Sequence, residues 1–191
     1  MSGADAAHDR APVLVLVGPP GAGKSTVGRR AAERLGVGFV DTDELMAEQA
    51  GVPIGELIVD LGEEEFRARE AEAVAGVLAS GAGAGAGEVV ALGSGAVPAA
   101  TADLERCTAA GTVVVFLDVS LSAGVPRVGL NAPRSVALGS ARGQFAAMAR
   151  ERRPGYTAVA THTVDTSERD VDEVVDAVLA LLDPGLSSHK A

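Results

Sequence analysis

The chain has no tryptophan, one tyrosine and four phenylalanines in 191 residues, which rules out a core built on aromatic stacking. Apolar residues still make up 47% of it, so the interior must be valine, leucine and alanine. One cysteine, Cys107, excludes an internal disulfide and suits a reducing compartment. Lysine is nearly missing: Lys24 and Lys190 are the two present. A net charge of −10 leaves no broad basic face, so general nucleic-acid binding is not expected. No apolar run approaches the ~20 residues that cross a bilayer. The opening MSGADAAHDRAP has no apolar signal core and carries acids in place of a basic flank. These absences lead to the expectation of a cytoplasmic, monomeric protein with no membrane partner. Its length fits one domain over residues 12–183, with a disordered lead-in at 1–11 and a tail at 184–191.

What is present is concentrated in residues 13–26, VLVLVGPPGAGKST. Val13 to Val17 are all apolar and mostly β-branched, the pattern of a strand buried on both faces. The glycine- and proline-rich stretch 18–23 can be neither strand nor helix, and helical character begins at Lys24. A strand, a glycine loop and a helix with Gly23-Lys24-Ser25 at this spacing form a phosphate-binding P-loop. Backbone N–H groups of Gly21, Ala22 and Gly23, with the helix N-terminus, suit a polyphosphate such as that of ATP. Lys24 would reach the β- and γ-phosphates, and the Ser25 hydroxyl would ligate Mg²⁺, with Thr26 beside it.

Further along, a short strand at 38–40 ends in Asp41-Thr42-Asp43. In an open α/β sheet the carboxyl ends of strands face the ligand crevice, so both carboxylates fit near the nucleotide. Asp41 or Thr42 capping a helix over 44–50 explains the same residues equally well. Helices are expected over 54–61 and 63–79. In the second, Arg67 and Glu70 are i,i+3 neighbours that pair, either at a site or on a solvated face. SGAGAGAG at 80–87 is low-complexity and reads as a surface loop. A strand over 89–92 enters Gly93-Ser94-Gly95, which is either an anion-binding turn or a plain strand-to-helix turn. A helix over 101–109 and a strand over 112–117 follow. Asp118 ends that strand as a Walker-B acid or as a turn aspartate.

From Arg127 to Arg153 the charge reverses, with six arginines (127, 134, 142, 150, 152 and 153) against Glu151. Residues 128–140 are rich in Gly, Pro, Asn and Ser and read as mobile, which suggests a lid over about 125–142 closing on phosphates. A solvated arginine-bearing loop is the alternative. Pro154-Gly155 is expected to end the next helix. A strand at 162–165, in which His162 is a strand residue, and a helix over 170–182 complete the chain. Five strands alternating with helices give an α/β fold: three layers, a five-stranded parallel sheet with helices on both faces, and a mobile lid.

Taken in order, GPPGAGKST, FVDTDELMAEQAG, GEEEFRAREAEAV, ALGSGAV, FLDVS, an arginine-bearing lid and RRPGY resemble the shikimate kinases, over about residues 13–182. The resemblance implies a P-loop kinase that uses ATP and Mg²⁺ to phosphorylate the 3-hydroxyl of shikimate on the route to aromatic amino acids. It implies Lys24, Asp43 and Arg134 as catalytic groups and Ser25 with Asp41 at the metal. Arg127, Arg134 and Arg169 fall on the nucleotide side. Asp43, Arg67, Gly93, Ser94, Gly95 and Arg152 fall on the acceptor, with Arg67 and Arg152 on its carboxylate and Glu70 orienting Arg67. Two departures stand out. Ser94 replaces the middle of the family's three glycines, and the lid reads Arg134-Ser135-Val136-Ala137 where RPLL is usual. A gluconate-type kinase of the same fold, or a weakly active paralogue that binds nucleotide or metabolite as a regulator, are the readings that remain open beside it.

Overall fold

A computed structural model of the chain describes residues 12–79, 87–129 and 136–182, with side chains from 142 onward in the last of these. The expected lead-in, tail, glycine-alanine loop and centre of the lid, Arg134 included, lie outside the described residues.

Five parallel strands form one sheet: β1 (Pro12–Val17), β2 (Gly38–Asp41), β3 (Glu88–Ala91), β4 (Val113–Asp118) and β5 (His162–Asp165). Their spatial order is β2-β3-β1-β4-β5, which puts β1 at the centre. Because every strand runs the same way, the P-loop, Asp41, the turn at 93–95, Asp118 and Thr166 all emerge at one edge of the sheet.

Successive side chains of a strand point to opposite faces, and β1 divides accordingly. Val15 and Val17 join a core with Val90, Leu92, Val114 and Phe116, covered by α4 (Glu63–Ala79), α5 (Val97–Ala109) and α7 (Val136–Val159). Leu14 and Leu16 join the opposite core, covered by α1 (Lys24–Leu35) and α8 (Val171–Leu179). A small separate cluster of Met46, Leu57 and Phe66 ties α2 (Thr42–Ala50) and α3 (Ile54–Leu61) to the start of α4. Among the described residues no helix is long and apolar enough to cross a membrane.

Three differences from the sequence-based expectation have local causes. α5 starts at Val97, four residues early, because Pro98 sits in its first turn, where the missing N–H costs nothing. The arginine-rich segment is more helical than its composition suggests. α6 (Leu121–Arg127) is capped by the Ser120 side chain, and α7 is already helical at Val136. Pro154 does not end α7, which continues to Val159. An internal proline costs a helix about 3 kcal/mol. Here Tyr156 and Val159, 1% and 9% exposed, are buried beyond it, and their burial offsets that cost. The next helix, α8, starts on a capping box in which Asp170 and Glu173 exchange hydrogen bonds.

Candidate active site

The P-loop is shaped by glycines in backbone conformations that other residues rarely adopt. Gly21 has φ +76° and Gly23 has φ +91°, and a Cβ at Gly21 would lie 2.7 Å from the Gly124 carbonyl. From the first turn of α1, Lys24 Nζ folds back and donates to the carbonyls of Gly18 (2.8 Å) and Pro19 (3.2 Å). Burial of that ammonium lowers its pKa to about 8, and Arg152 adds to the effect while Asp43 and Asp41 oppose it. Ser25 Oγ donates to Asp41 Oδ2 at 2.6 Å, while Asp41 Oδ1 accepts from the N–H groups of Asp43 (2.9 Å) and Glu44 (3.3 Å). Both roles open to Asp41 therefore coexist: one oxygen caps α2 and the other holds the P-loop serine.

A cavity of about 670 Å³ lies over this loop, with Lys24, Ser25, Asp41, Asp43, Arg127 and Arg169 among its lining residues. Thr26, Ser94 and Thr166 border it too. Arg127, in the last turn of α6, donates to the carbonyls of Thr166 (2.9 Å), Ser167 (3.3 Å) and Gly21 (3.4 Å). It ties the P-loop to the loop after β5 and is anchored, although the composition around it had suggested mobility.

Asp43 stands where this cavity meets the second group of residues. Burial, and next the charge of Asp41, raise its carboxyl pKa to about 6, with Lys24 pulling the other way. Arg67 Nη1 meets Glu70 Oε2 at 2.5 Å, and the Glu70 side chain is only 4% exposed. The turn after β3 presses directly on these charges. A Cβ at Gly93 would lie 2.5 Å from Asp43 Oδ1 and 2.7 Å from Glu70 Oε1, and one at Gly95 would run into the Arg67 guanidinium. Neither residue has a positive φ, so what favours glycine here is close approach: a side chain would displace the charged groups of Asp43, Glu70 or Arg67. The Gly93 N–H donates to Thr42 Oγ1 at 2.8 Å, which fixes the turn to α2. From α7, Arg152 Nη1 reaches the Ser94 carbonyl at 3.2 Å. Arg67, Glu70, Ser94, Gly95, Arg152 and Tyr156 border a second cavity of about 420 Å³, and Ser94 lines both cavities.

The fold thus brings together all the expected site residues that it describes. Asp118 stands apart: it pairs with Arg153 at 2.5 Å, while the acid bonded to the P-loop serine is Asp41. The sequence did not mark Thr42, Thr166 or Tyr156 as site residues, although Thr42 was a candidate helix cap. Thr42 opens α2 and Thr166 lies just past β5, each with a partner remote in sequence, and the signal for Tyr156 was its place in the RRPGY stretch. No group of three or more His, Cys, Asp or Glu residues is arranged to hold a metal among the described residues. The oxygen pair of Ser25 and Asp41 matches a cation that takes few protein ligands and completes its shell with phosphates and water, as Mg²⁺ does.

A P-loop at the centre of a five-stranded parallel sheet, joined to a second, arginine-lined cavity, defines a P-loop small-molecule kinase. The family model for shikimate kinase matches residues 20–183. A shikimate kinase of Salinispora arenicola is 48% identical over 172 residues, covering 90% of this chain and 98% of the relative. One of Thermobifida fusca is 45% identical over 167 residues, covering 87% and 92%. Among solved structures, the shikimate kinase of Acinetobacter baumannii in complex with shikimate aligns with TM-score 0.76 at 28% identity, covering 97% of this chain and 98% of that one. The chain belongs to the shikimate kinase family.

Proposed function

We infer that the protein transfers the γ-phosphoryl group of ATP to the 3-hydroxyl of shikimate, giving shikimate 3-phosphate and ADP. The observation that carries this is the second cavity. Arg67 and Arg152 converge there from different helices, and the cavity shares Ser94 with the one over the P-loop, which Asp43 lines. Two guanidinium groups facing one small cavity suit a ligand with a single carboxylate.

In this reading the P-loop N–H groups of residues 21–26 hold the phosphates. Lys24 exchanges its two loop carbonyls for the β- and γ-phosphates, whose charge restores its full protonation. Ser25 and Asp41 would hold Mg²⁺, which when bound neutralises phosphate charge as transfer proceeds. Asp43 accepts the proton of the acceptor hydroxyl as its oxygen bonds to the γ-phosphorus and the bond to the β-phosphate oxygen breaks. The acceptor carboxylate sits between Arg67, oriented by Glu70, and Arg152, with Ser94 and Gly95 against the ring hydroxyls. Arg127 and Arg169 line the adenine side. The family resemblance assigns Arg134 to the transferring phosphoryl. The unit at work is the single domain over 12–183, acting as a monomer in the cytoplasm. Catalysis is positioning together with charge stabilisation.

ADP release measured with shikimate, with gluconate and with no acceptor tests this directly. Turnover with shikimate alone is expected. Turnover with gluconate instead assigns a different hydroxy acid, and nucleotide binding without turnover on either makes the protein a regulator.

A further inference from the structure

The lone tyrosine of the chain has no part in the chemistry above, yet it borders the acceptor cavity. Tyr156 is 1% exposed, and its ring packs on Phe116 with centroids 5.3 Å apart. Its hydroxyl donates to the Ser94 carbonyl at 2.6 Å. Arg152, one turn earlier on the same face of α7, donates to the same carbonyl at 3.2 Å, and its guanidinium lies beside the tyrosine oxygen. Burial pushes the phenol pKa upward, so the hydroxyl keeps its proton and stays a donor.

A carbonyl oxygen has two lone pairs, and here each has a donor. The two donors differ in what else they can do. The phenol is locked by its ring, whereas the guanidinium has five N–H groups and can turn an edge towards a carboxylate. If Arg152 were the sole partner of Ser94, binding a carboxylate would leave a part-buried carbonyl without a donor, which is costly. With Tyr156 in place, the carbonyl keeps its shorter hydrogen bond while Arg152 leaves.

We propose that Tyr156 is a positioning residue for carboxylate recognition: it holds the Ser94 turn and so frees Arg152 for the acceptor. This rests on the assignment of Arg152 to the acceptor carboxylate. Tyr156→Phe keeps the ring and removes only the hydroxyl. The expected result is a rise of about tenfold in the KM for shikimate, matching the loss of one hydrogen bond to a charged or buried group, with the KM for ATP nearly unchanged. Phe116→Leu is the structural control. It should lower Tm without separating the two KM values. On an Arg152→Ala background, Tyr156→Phe should add little, because the hydroxyl acts through the arginine. An unchanged shikimate KM in a folded Tyr156→Phe variant overturns the proposal. So does an equal rise in both KM values, or full additivity with Arg152→Ala. Lack of shikimate turnover by the wild-type protein is a separate result; it overturns the assigned activity and, with it, the premise of this proposal.

Discussion

The two sides of the crevice are assembled in different ways. The nucleotide side is largely one contiguous stretch, residues 18–26, whose shape is set by glycines at positive φ and by the first turn of α1. The acceptor side is a convergence. Asp43 comes from α2, Arg67 and Glu70 from α4, the turn at 93–95 from the end of β3, and Arg152 and Tyr156 from α7. A site held by local backbone loses one chemical function per substitution. A site held by packing between remote segments transmits each change to its neighbours: a Cβ added at Gly93 would meet both Asp43 and Glu70.

The largest expected effect lies on the nucleotide side. Lys24→Ala should lower kcat by at least ~10³-fold, since it removes a cation aimed at the transferring group. Its far-UV circular dichroism should match the parent, because the ammonium bonds only two loop carbonyls. Substantial turnover in a folded variant breaks the assignment of this side.

Asp43→Asn comes next, at the boundary between the sides. It should lower kcat by ~10²- to 10⁴-fold and leave ATP affinity nearly intact. With a folded pKa of about 6 against 3.8 when exposed, the protonated form of Asp43 is favoured by folding. Its ionisation therefore costs stability above pH 6, and that cost fades as pH falls from 6 towards 4. Asp43→Asn should accordingly raise Tm at pH 7.5, with the gain shrinking by pH 5. In the unaltered protein, kcat/KM should fall on the acid side of about pH 6. A Tm difference that is independent of pH contradicts the burial of this carboxyl.

Gly95→Ala sharpens the comparison on the acceptor side. The added methyl meets the Arg67 guanidinium, so the KM for shikimate should rise by about tenfold or more while the KM for ATP stays put. Equal changes in both KM values would mean that the turn serves the whole crevice. The smallest effect belongs to Arg127→Ala. This loosens the link between Gly21 and the loop after β5, and should raise the KM for ATP about fivefold with kcat little changed. A dominant kcat effect would move Arg127 from binding to catalysis.

What was legible in the sequence follows the same division. The P-loop and the five strands depend on local periodicity and on glycine conformation, and they are found where those signals lie. On the acceptor side, the chain by itself left Arg67 with Glu70 as either a site pair or a solvated one, and the turn at 93–95 as either functional or plain. Resemblance to a family singled them out. Their meeting depends on how α2, α4 and α7 pack, which no local pattern encodes. The extent of α7 was hidden for a similar reason: Pro154 is a local stop signal, overridden by the burial of Tyr156 and Val159. By sequence alone Asp118 is either a Walker-B acid or a turn aspartate. It stands at the end of an apolar strand like a nucleotide-site acid, yet its partner is Arg153, out of reach of any sequence window.

The central claim is that two arginines from separate helices read one carboxylate and present the ring hydroxyl to Asp43. The most direct test compares shikimate with its carboxamide, which keeps the ring and removes the charge, in the parent protein and in Arg67→Ala. In the parent, kcat/KM should be lower for the carboxamide by about a hundredfold, the scale of losing charge-assisted hydrogen bonds. In Arg67→Ala that penalty should shrink by about tenfold or more, because one of its two sources is gone. Equal use of acid and carboxamide by the parent protein, or a penalty that Arg67→Ala leaves untouched, would contradict the account.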